Sequence, residues 1–250
     1  LLAMATKAAD AIASTRLEAN GFVAQYVPSE LVSHDPRLRP ERHDDRPYLR
    51  PQAAFGNAVV ALYSSTGDAK YRALATKLAA SMAALADPRG GFFDTTARDV
   101  DAIAGRQKSA ADNVAAARFL FALAEITHDD AMRATATAAL RSIGHAALDD
   151  TTEALGDYVI ALADDARGVV DVSVAGDAGD AKAQALLRAA RAAWAPSKIV
   201  RVDVDKRYPH GGAATAYVCD AHACSPPIMD VAKLDAMIRR TALPFDCAAR

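Results

Sequence analysis

Residues 52–81, QAAFGNAVVALYSSTGDAKYRALATKLAAS, return 61 positions later as residues 113–142, NVAAARFLFALAEITHDDAMRATATAALRS. Ten of the thirty aligned residues are identical, and four of these are alanines. The other six identities are Leu62/Leu123, Thr66/Thr127, Asp68/Asp129, Arg72/Arg133, Thr76/Thr137 and Ser81/Ser142. A period of this size is typical of one supersecondary unit used several times, which must stack on its neighbours to bury its apolar face.

Each copy has the pattern of a helical hairpin. Four apolar residues of the first copy are spaced to lie on one helix face: Phe55, Val59, Leu62 and Tyr63. The Thr-Gly-Asp sequence at 66–68 then predicts a turn, followed by a return helix over about 69–85. In the second copy, Asp112 or Asn113 is predicted to cap the first helix, and the return helix covers 131–143. The repeat therefore predicts a mainly α protein built from antiparallel helical hairpins.

A second similarity, at a spacing of 70 residues, links the start of the chain to the same unit. Ala5-Thr6-Lys7 returns as Ala75-Thr76-Lys77, and Gly21-Phe22 returns as Gly91-Phe92. Residues 1–15 are therefore expected to form the second helix of a hairpin, and we expect upstream repeats to be missing from this sequence. The hairpin region is predicted to extend over residues 1–167.

After residue 167 the apolar pattern alternates, as it does in strands. Two strands are predicted from alternating valines: Val170, Val172 and Val174, then Val200, Val202 and Val204. A helix predicted over 181–194 joins them, so the strands should be parallel with a right-handed crossover. A third strand at 214–219 and a last helix at 231–240 complete the prediction. Residues 168–250 are therefore expected to form a small α/β subdomain packed on the helices.

The bulk composition excludes several classes of partner. The chain has 250 residues, of which 52% are hydrophobic, so a sizeable core can form. The formal net charge is −2, which gives no electrostatic basis for binding nucleic acid or an anionic membrane. Three cysteines are too few for a disulfide scaffold. We therefore expect a reducing, cytoplasmic environment.

Several short motifs resemble the C-terminal half of thioredoxin-domain-containing proteins of the spermatogenesis-associated protein 20 type. The resemblance covers most of residues 49–240. Its motifs are Thr66-Gly67-Asp68, Gly90-Gly91-Phe92-Phe93-Asp94, Arg106-x-Lys108 ahead of Asp112-Asn113, and Ala216-Tyr217-Val218-Cys219 followed by Cys224-x-Pro226-Pro227. It implies an α/α toroid of the six-hairpin glycosidase kind, also found in N-acylglucosamine 2-epimerases, with the small α/β unit as part of the pattern.

The resemblance also implies a thioredoxin-like domain upstream, whose Cys-x-x-Cys motif this sequence does not contain. Two departures weaken a catalytic role for the helix starts. Family members usually place an acidic residue where this chain has Arg50-Pro51, and many carry Pro-Ser-Gly-Asn where this chain has Ala111-Asp112-Asn113.

Candidate ligand-binding residues lie at the predicted helix starts, where the loops of a toroid meet a central cavity. Gln52 and Asn113 occupy equivalent positions of the repeat and could hydrogen-bond a polyhydroxylated ligand; helix capping is the structural alternative. Arg106 and Lys108 precede Asp112 and could bind an anionic group or lower the pKa of that acid. A solvated cluster of surface ion pairs is the alternative for them.

Catalysis by a glycosidase would need two carboxylates at a fixed separation. The candidates are Asp45, Asp94 and Asp112, and their spacing singles out no pair. An epimerase would need a base that titrates near pH 7, often histidine. Three histidines occupy predicted loops or turns, where simple exposure to solvent is the alternative: His34, His43 and His128.

Cys219 and Cys224 flank a short segment that contains His222. Zinc usually requires four ligands and closer cysteine spacing, so we predict no metal site and no cofactor. Two packed thiols, a disulfide across a turn and a redox role all remain open. The sequence 176–179 follows a strand and precedes a helix, but it lacks the glycine spacing of a phosphate loop and predicts a plain turn.

Two functional hypotheses follow, and the sequence does not decide whether the protein is an enzyme. The first is a carbohydrate-active enzyme, or a related one acting on a small polar ligand, built on a toroid. The second is a non-catalytic helical-repeat module that binds a ligand or partner beside a thioredoxin-like domain. An enzyme predicts two opposed carboxylates in a deep cavity, whereas a binding module does not.

Overall fold

The computed structural model describes residues 1–24, 46–96, 106–149, 153–204 and 206–242. Six α-helices come first in the described part of the chain: α1 (Leu2–Thr15), α2 (Leu49–Thr66), α3 (Ala69–Ser81), α4 (Ala110–Thr127), α5 (Asp130–Asp149) and α6 (Glu153–Arg167). The helix predicted to run to residue 85 changes to a 3-10 turn at Met82–Leu85. Phe92, in the segment that follows, forms an isolated antiparallel bridge with Ala86.

The two copies of the repeat have the same conformation. Helices α2 and α4 both have 18 residues, and α4 begins and ends 61 positions after α2. The threonine that both copies share near the end of the first helix makes the same contact in each. Thr66 donates to the Leu62 carbonyl at 2.7 Å, and Thr127 donates to the Leu123 carbonyl at 2.8 Å. The prediction of a mainly α protein is confirmed, and both copies of the repeat consist of a helix, a turn and a return helix.

The turns inside the hairpins also correspond. Each first helix ends on a left-handed residue, Gly67 with φ 73° and His128 with φ 55°. The conserved aspartates, Asp68 and Asp129, then accept a hydrogen bond from a backbone N–H in the first turn of the return helix. His128 occupies a backbone region that favours glycine, so the second turn is the more strained of the two.

Helices α2 and α4 lie side by side and parallel. At their beginnings Arg50 contacts Asp112, and near their middles Asn57 donates to the Ala115 carbonyl at 2.8 Å. Gly56 gives the closest approach, since a Cβ on this residue would lie 2.6 Å from the Phe119 ring. These two helices form the centre of an apolar core that also contains side chains of α1, α3, α5 and α6.

A three-stranded sheet follows the helices, with β1 (Val170–Ala175), β2 (Lys198–Val202) and β3 (Thr215–Cys219) in the order β2-β1-β3. Strands β1 and β2 are parallel, as predicted, and β1 and β3 are antiparallel. Helices α7 (Ala181–Ala192) and α8 (Val231–Ala242) cover one face, where Val170, Val172, Val174 and Val200 form a second core. Val204, which was predicted to lie in the second strand, follows β2 and is exposed.

The other face of the sheet meets the helical hairpins. Ile199 of β2 is buried in the helical core, and the Ser64 hydroxyl of α2 accepts from the Val200 amide at 2.8 Å. The same hydroxyl donates to the Val200 carbonyl at 3.2 Å. The protein is therefore mainly α with a small C-terminal α/β unit.

Candidate functional site

The helix-start cluster consists of Arg50, Asp94, Arg106, Lys108 and Asp112, which the structure brings together where α2 and α4 begin. Asp94 is held by three contacts with the backbone. Its Oδ1 accepts from the Ser109 amide at 2.7 Å, its carbonyl accepts from the Leu49 amide at 2.9 Å, and its amide donates to the Gln107 carbonyl at 2.9 Å. Asp94 thus ties the first residue of α2 to the segment that leads into α4.

Asp112 is occupied by an ion pair. Arg50 Nε lies 3.0 Å from Asp112 Oδ1, and the Asp112 side chain is 15% exposed. The sequence predicted that Asp112 or Asn113 caps α4, and this prediction is wrong because the helix already begins at Ala110. The N-cap is Ser109, whose hydroxyl accepts from the Asp112 amide at 3.2 Å.

The cations of the cluster are also engaged. Lys108 Nζ lies 2.9 Å from Asp87 Oδ2 and donates to the Gly90 carbonyl at 2.6 Å. The backbone amide of Arg89 and the Lys108 ammonium hold the pKa of the Asp87 carboxyl well below its usual range. The Arg106 guanidinium lies 3.7 Å from the centroid of the Phe93 ring, a cation–π contact. Each charged side chain of the helix-start cluster therefore has a partner within the protein.

The two amides predicted to bind a ligand are fully buried and hold backbone turns. Asn113 donates to the Phe92 carbonyl and accepts from the Phe92 amide, at 2.9 and 2.8 Å. Gln52 donates to the Val23 carbonyl at 3.3 Å. Gly91 leaves room for this arrangement, because a Cβ there would lie 2.9 Å from Asn113 Oδ1. Both amides therefore bind backbone groups, although the buried Gln52 Oε1 has no hydrogen-bond partner among the described residues.

Three of the catalytic candidates, Asp45, His34 and His43, lie outside the described residues. The third histidine, His128, is the exposed left-handed residue at the end of α4, and its Nε2 contacts Arg207. The structure therefore places His128 near the sheet and far along α4 from the helix-start cluster.

A buried charge network that the sequence analysis missed lies between the helices and the sheet. This interlayer ion cluster is centred on Arg201 of β2, which contacts Asp171 of β1 through Nε at 3.1 Å and Nη2 at 2.5 Å. Arg201 Nη1 also donates to the Ile126 carbonyl, in the last turn of α4, at 3.2 Å. The polar residues between the alternating valines were the available signal, since their opposite charges suit a buried pair.

Burial and ion pairing have opposite effects on the pKa values of this cluster. Burial raises the pKa of Glu125 and Asp171 adds to the effect, whereas nearby arginines counter it. Burial acts against the charge of Arg201, but its contacts with Asp171 outweigh that effect and raise the pKa of the guanidinium. Arg133 joins the cluster through a 2.9 Å contact with Glu125. These contacts fix the two layers against each other.

A groove of about 710 Å³ runs along α5. Its charged and hydroxyl-bearing lining residues are Arg89, Asp130, Arg133, Thr137, Arg141, Ser142 and Asp165. Arg133 Nη1 is buried and has no hydrogen-bond partner among the described residues. Arg141 forms no ion pair with a described carboxylate. The groove is thus lined by guanidinium groups, among them that of the exposed Arg141.

Asp164 of α6 is a buried carboxyl whose pKa is raised. Its side chain accepts from the Ser197 hydroxyl at 2.8 Å, and the residue is only 4% exposed. Burial raises the pKa of Asp164 to about 6, although the Ser197 hydrogen bond and the charges of Arg118 and Arg133 act in the opposite direction. Asp164 lies beside the groove residue Asp165 in sequence but does not line the groove.

Cys219 and Cys224 form a disulfide, which is one of the alternatives that the sequence left open and excludes two packed free thiols. The bridge is possible because the chain after β3 turns back and pairs Cys219 with Cys224 in antiparallel fashion.

The segment 176–179 is a plain turn in which the Asp177 side chain accepts from the Gly179 amide at 2.8 Å. Within the described residues, no group of three or more His, Cys, Asp or Glu side chains could hold a metal ion.

No protein-family model matches this chain, and the comparison with curated proteins gives no match. Among the described helices, none combines the length and apolar character required to cross a lipid bilayer.

Proposed function

We propose that this chain is the six-hairpin glycosidase-like region of a thioredoxin-domain-containing protein, and that it is a non-catalytic binding module for a small polyhydroxylated anion. The family part is supported by two hairpins of one conformation, 61 residues apart, followed by a strand–helix–strand unit. In this proposal the helices are part of an α/α toroid, a thioredoxin-like domain lies upstream, and the protein is cytoplasmic.

The proposal of a non-catalytic module rests on Asp94 and Asp112, the two described acid candidates, whose carboxylates are both engaged in structural contacts. A glycosidase uses one carboxyl group as acid and the other as base or nucleophile, across the bond to be cut. Asp112 is paired with Arg50, and Asp94 accepts a hydrogen bond from the Ser109 amide as part of a backbone joint. Using either acid in catalysis would break a contact that positions a helix start.

The α5 groove supports the choice of ligand. Guanidinium groups bind carboxylates and phosphates through paired, charge-assisted hydrogen bonds. Arg133 and Arg141 line the groove, and the Thr137 and Ser142 hydroxyls lie along the same face. The Thr137 hydroxyl donates a hydrogen bond to the Asp165 carboxylate. The hydroxyl groups of a bound sugar would form hydrogen bonds with these same two groups. A sugar acid or a sugar phosphate combines the two chemistries that this lining offers.

Titration calorimetry with glucuronate, glucose 6-phosphate and glucose tests the ligand. We expect saturable binding of the two anions and none of glucose. Arg141→Gln should weaken binding by about tenfold or more, as expected for loss of a hydrogen bond to a charged group. Arg188→Gln, a change on an exposed arginine of α7, is the matched control and should leave binding unchanged. Absence of saturable anion binding, or equal loss in both variants, would refute the ligand assignment.

An enzymatic function keeps one observation in its favour. A carboxyl with a pKa near 6 is suited to act as a general acid, and Asp164 has this property. The test is hydrolysis of aryl glycosides by the purified protein and by Asp164→Asn. Turnover that disappears in the folded variant would replace the binding proposal with an enzymatic one. The complete open reading frame tests the family, which requires an upstream thioredoxin-like segment.

A further inference from the structure

The disulfide closes a turn that is also closed by the backbone. Asp220, the first residue of the turn, donates from its amide to the Ala223 carbonyl at 3.0 Å, and its Oδ1 accepts from the His222 and Ala223 amides. Beyond Cys224, the Ser225 amide donates to the Val218 carbonyl at 2.8 Å. The turn therefore has hydrogen bonds that would survive cleavage of the bridge, so the fold can accommodate both redox states.

The two cysteine residues differ in their exposure to solvent. Cys219 is 4% exposed at the end of β3, whereas Cys224 is exposed on the returning segment. Thiol–disulfide exchange begins with attack of a thiolate on an accessible sulfur, and the other sulfur leaves. An incoming thiolate can therefore reach Cys224 Sγ, and Cys219 is the leaving group.

A tyrosine hydroxyl is positioned at the leaving sulfur. The Tyr208 hydroxyl lies 3.2 Å from Cys219 Sγ and 3.7 Å from Cys224 Sγ. Stacking on Tyr217, with ring centroids 4.6 Å apart, holds the Tyr208 ring in place. Burial and the charge of Asp171 raise the pKa of Tyr208, which keeps its O–H proton available. The Arg207 guanidinium lies 5.1 Å from the same ring and adds positive charge nearby.

We propose that the Cys219–Cys224 bridge is a thiol–disulfide exchange site that accepts electrons from a dithiol protein. A thiolate of the partner attacks Cys224 Sγ, the bond between the two sulfurs breaks, and Cys219 leaves as a thiolate that accepts a hydrogen bond from Tyr208. The second partner thiol, as its thiolate, then attacks the partner sulfur of the mixed disulfide. Cys224 leaves as a thiolate, the partner becomes a disulfide, and solvent protonates both cysteines of the bridge. Two electrons pass from partner to bridge.

The first experiment measures reduction of the intact chain by reduced thioredoxin, used as the dithiol probe, in native buffer. Alkylation followed by peptide mapping separates the bridge from Cys247. We expect both bridge cysteines to become alkylated while the circular dichroism spectrum is retained. Reduction that occurs only after the protein unfolds would overturn the proposal.

Single substitutions then test the direction of attack and the role of Tyr208. Cys219→Ser leaves the exposed thiol and should form a mixed disulfide with oxidised glutathione at least tenfold faster than Cys224→Ser, which leaves the buried thiol. Tyr208→Phe should slow reduction of the bridge by about tenfold, as expected for losing a hydrogen bond to a charged leaving group. Tyr71→Phe, in α3, is the matched control. Equal rates for the two cysteine variants, or an unchanged rate in Tyr208→Phe, would refute the mechanism.

Discussion

Asp164 should make the stability of this protein fall as the pH rises from about 4 to about 6. Its pKa is 3.8 as the ordinary value and about 6 in the fold, with burial as the main cause. Between these values the native state retains a proton that the unfolded state has released. The native state therefore binds more protons, and the free energy of unfolding decreases with increasing pH. The stabilising contribution is complete below pH 3.8 and is lost once the pH exceeds the folded pKa.

The size of the effect follows from the two pKa values. Each pK unit corresponds to 1.36 kcal/mol, so the complete transition amounts to about 3 kcal/mol. Between pH 4.5 and pH 7.5 the same two values give about 2 kcal/mol. Asp164→Asn removes the titrating proton but keeps an oxygen that can accept from Ser197. Other titrating groups contribute equally to both proteins, so the difference between them isolates Asp164.

Urea unfolding of the native protein and of Asp164→Asn at pH 4.5 and pH 7.5 provides the measurement. On going to pH 7.5, the native protein should lose about 2 kcal/mol more than the variant. Ser197→Ala provides a second comparison, because the Ser197 hydrogen bond lowers the Asp164 pKa. Its loss should move the transition to higher pH. A pH dependence identical in the native protein and Asp164→Asn would show that burial does not raise this pKa.

Three further substitutions test the packing. Gly56→Ala should cost about 1–3 kcal/mol of stability, because its Cβ would lie 2.6 Å from the Phe119 ring; Gly156→Ala, in an open position on α6, should be neutral or stabilising by up to about 1 kcal/mol. Equal unfolding midpoints for these two variants in urea would contradict the close approach of α2 and α4. Arg201→Met should cost about 3–5 kcal/mol, because Asp171 would remain buried and without its main partner. A thermal scan showing little change would mean that Asp171 is solvated.

The hairpins could be predicted because they follow from local and repeated features. Leu62 and Thr66 recur 61 residues later, and the spacing of apolar residues sets each helix. The start of α4 was misplaced because Asp112 and Asn113 are good capping residues, whereas Ser109 is the residue that makes the capping contact. A sequence shows which residues can cap a helix, but the backbone path before the helix decides which one does.

The contacts between layers could not be predicted in the same way. Arg201 and Asp171 are 30 positions apart and Arg201 and Ile126 are 75 apart, and their contact depends on how the sheet packs on the helices. An alternating strand pattern indicates one polar face, and such faces are commonly solvated in antiparallel sheets. Here that face is covered, so the polar residues form a buried ionic contact. The contacts of the candidate site could not be predicted for the same reason. Asp112 is paired with Arg50, which belongs to the other copy of the repeat.

The Ser64 contact with β2 has a consequence for dissecting the protein. A chain cut after residue 167 would keep every helix of the hairpins but lose the strand that fills their far ends. The Ser64 hydroxyl and the Ile126 carbonyl would lose the partners that β2 supplies, and the pocket that holds Ile199 would become an apolar opening. Such a fragment should expose hydrophobic surface and self-associate. A soluble truncation would therefore need to retain the strand, even though the strand belongs to the later part of the sequence.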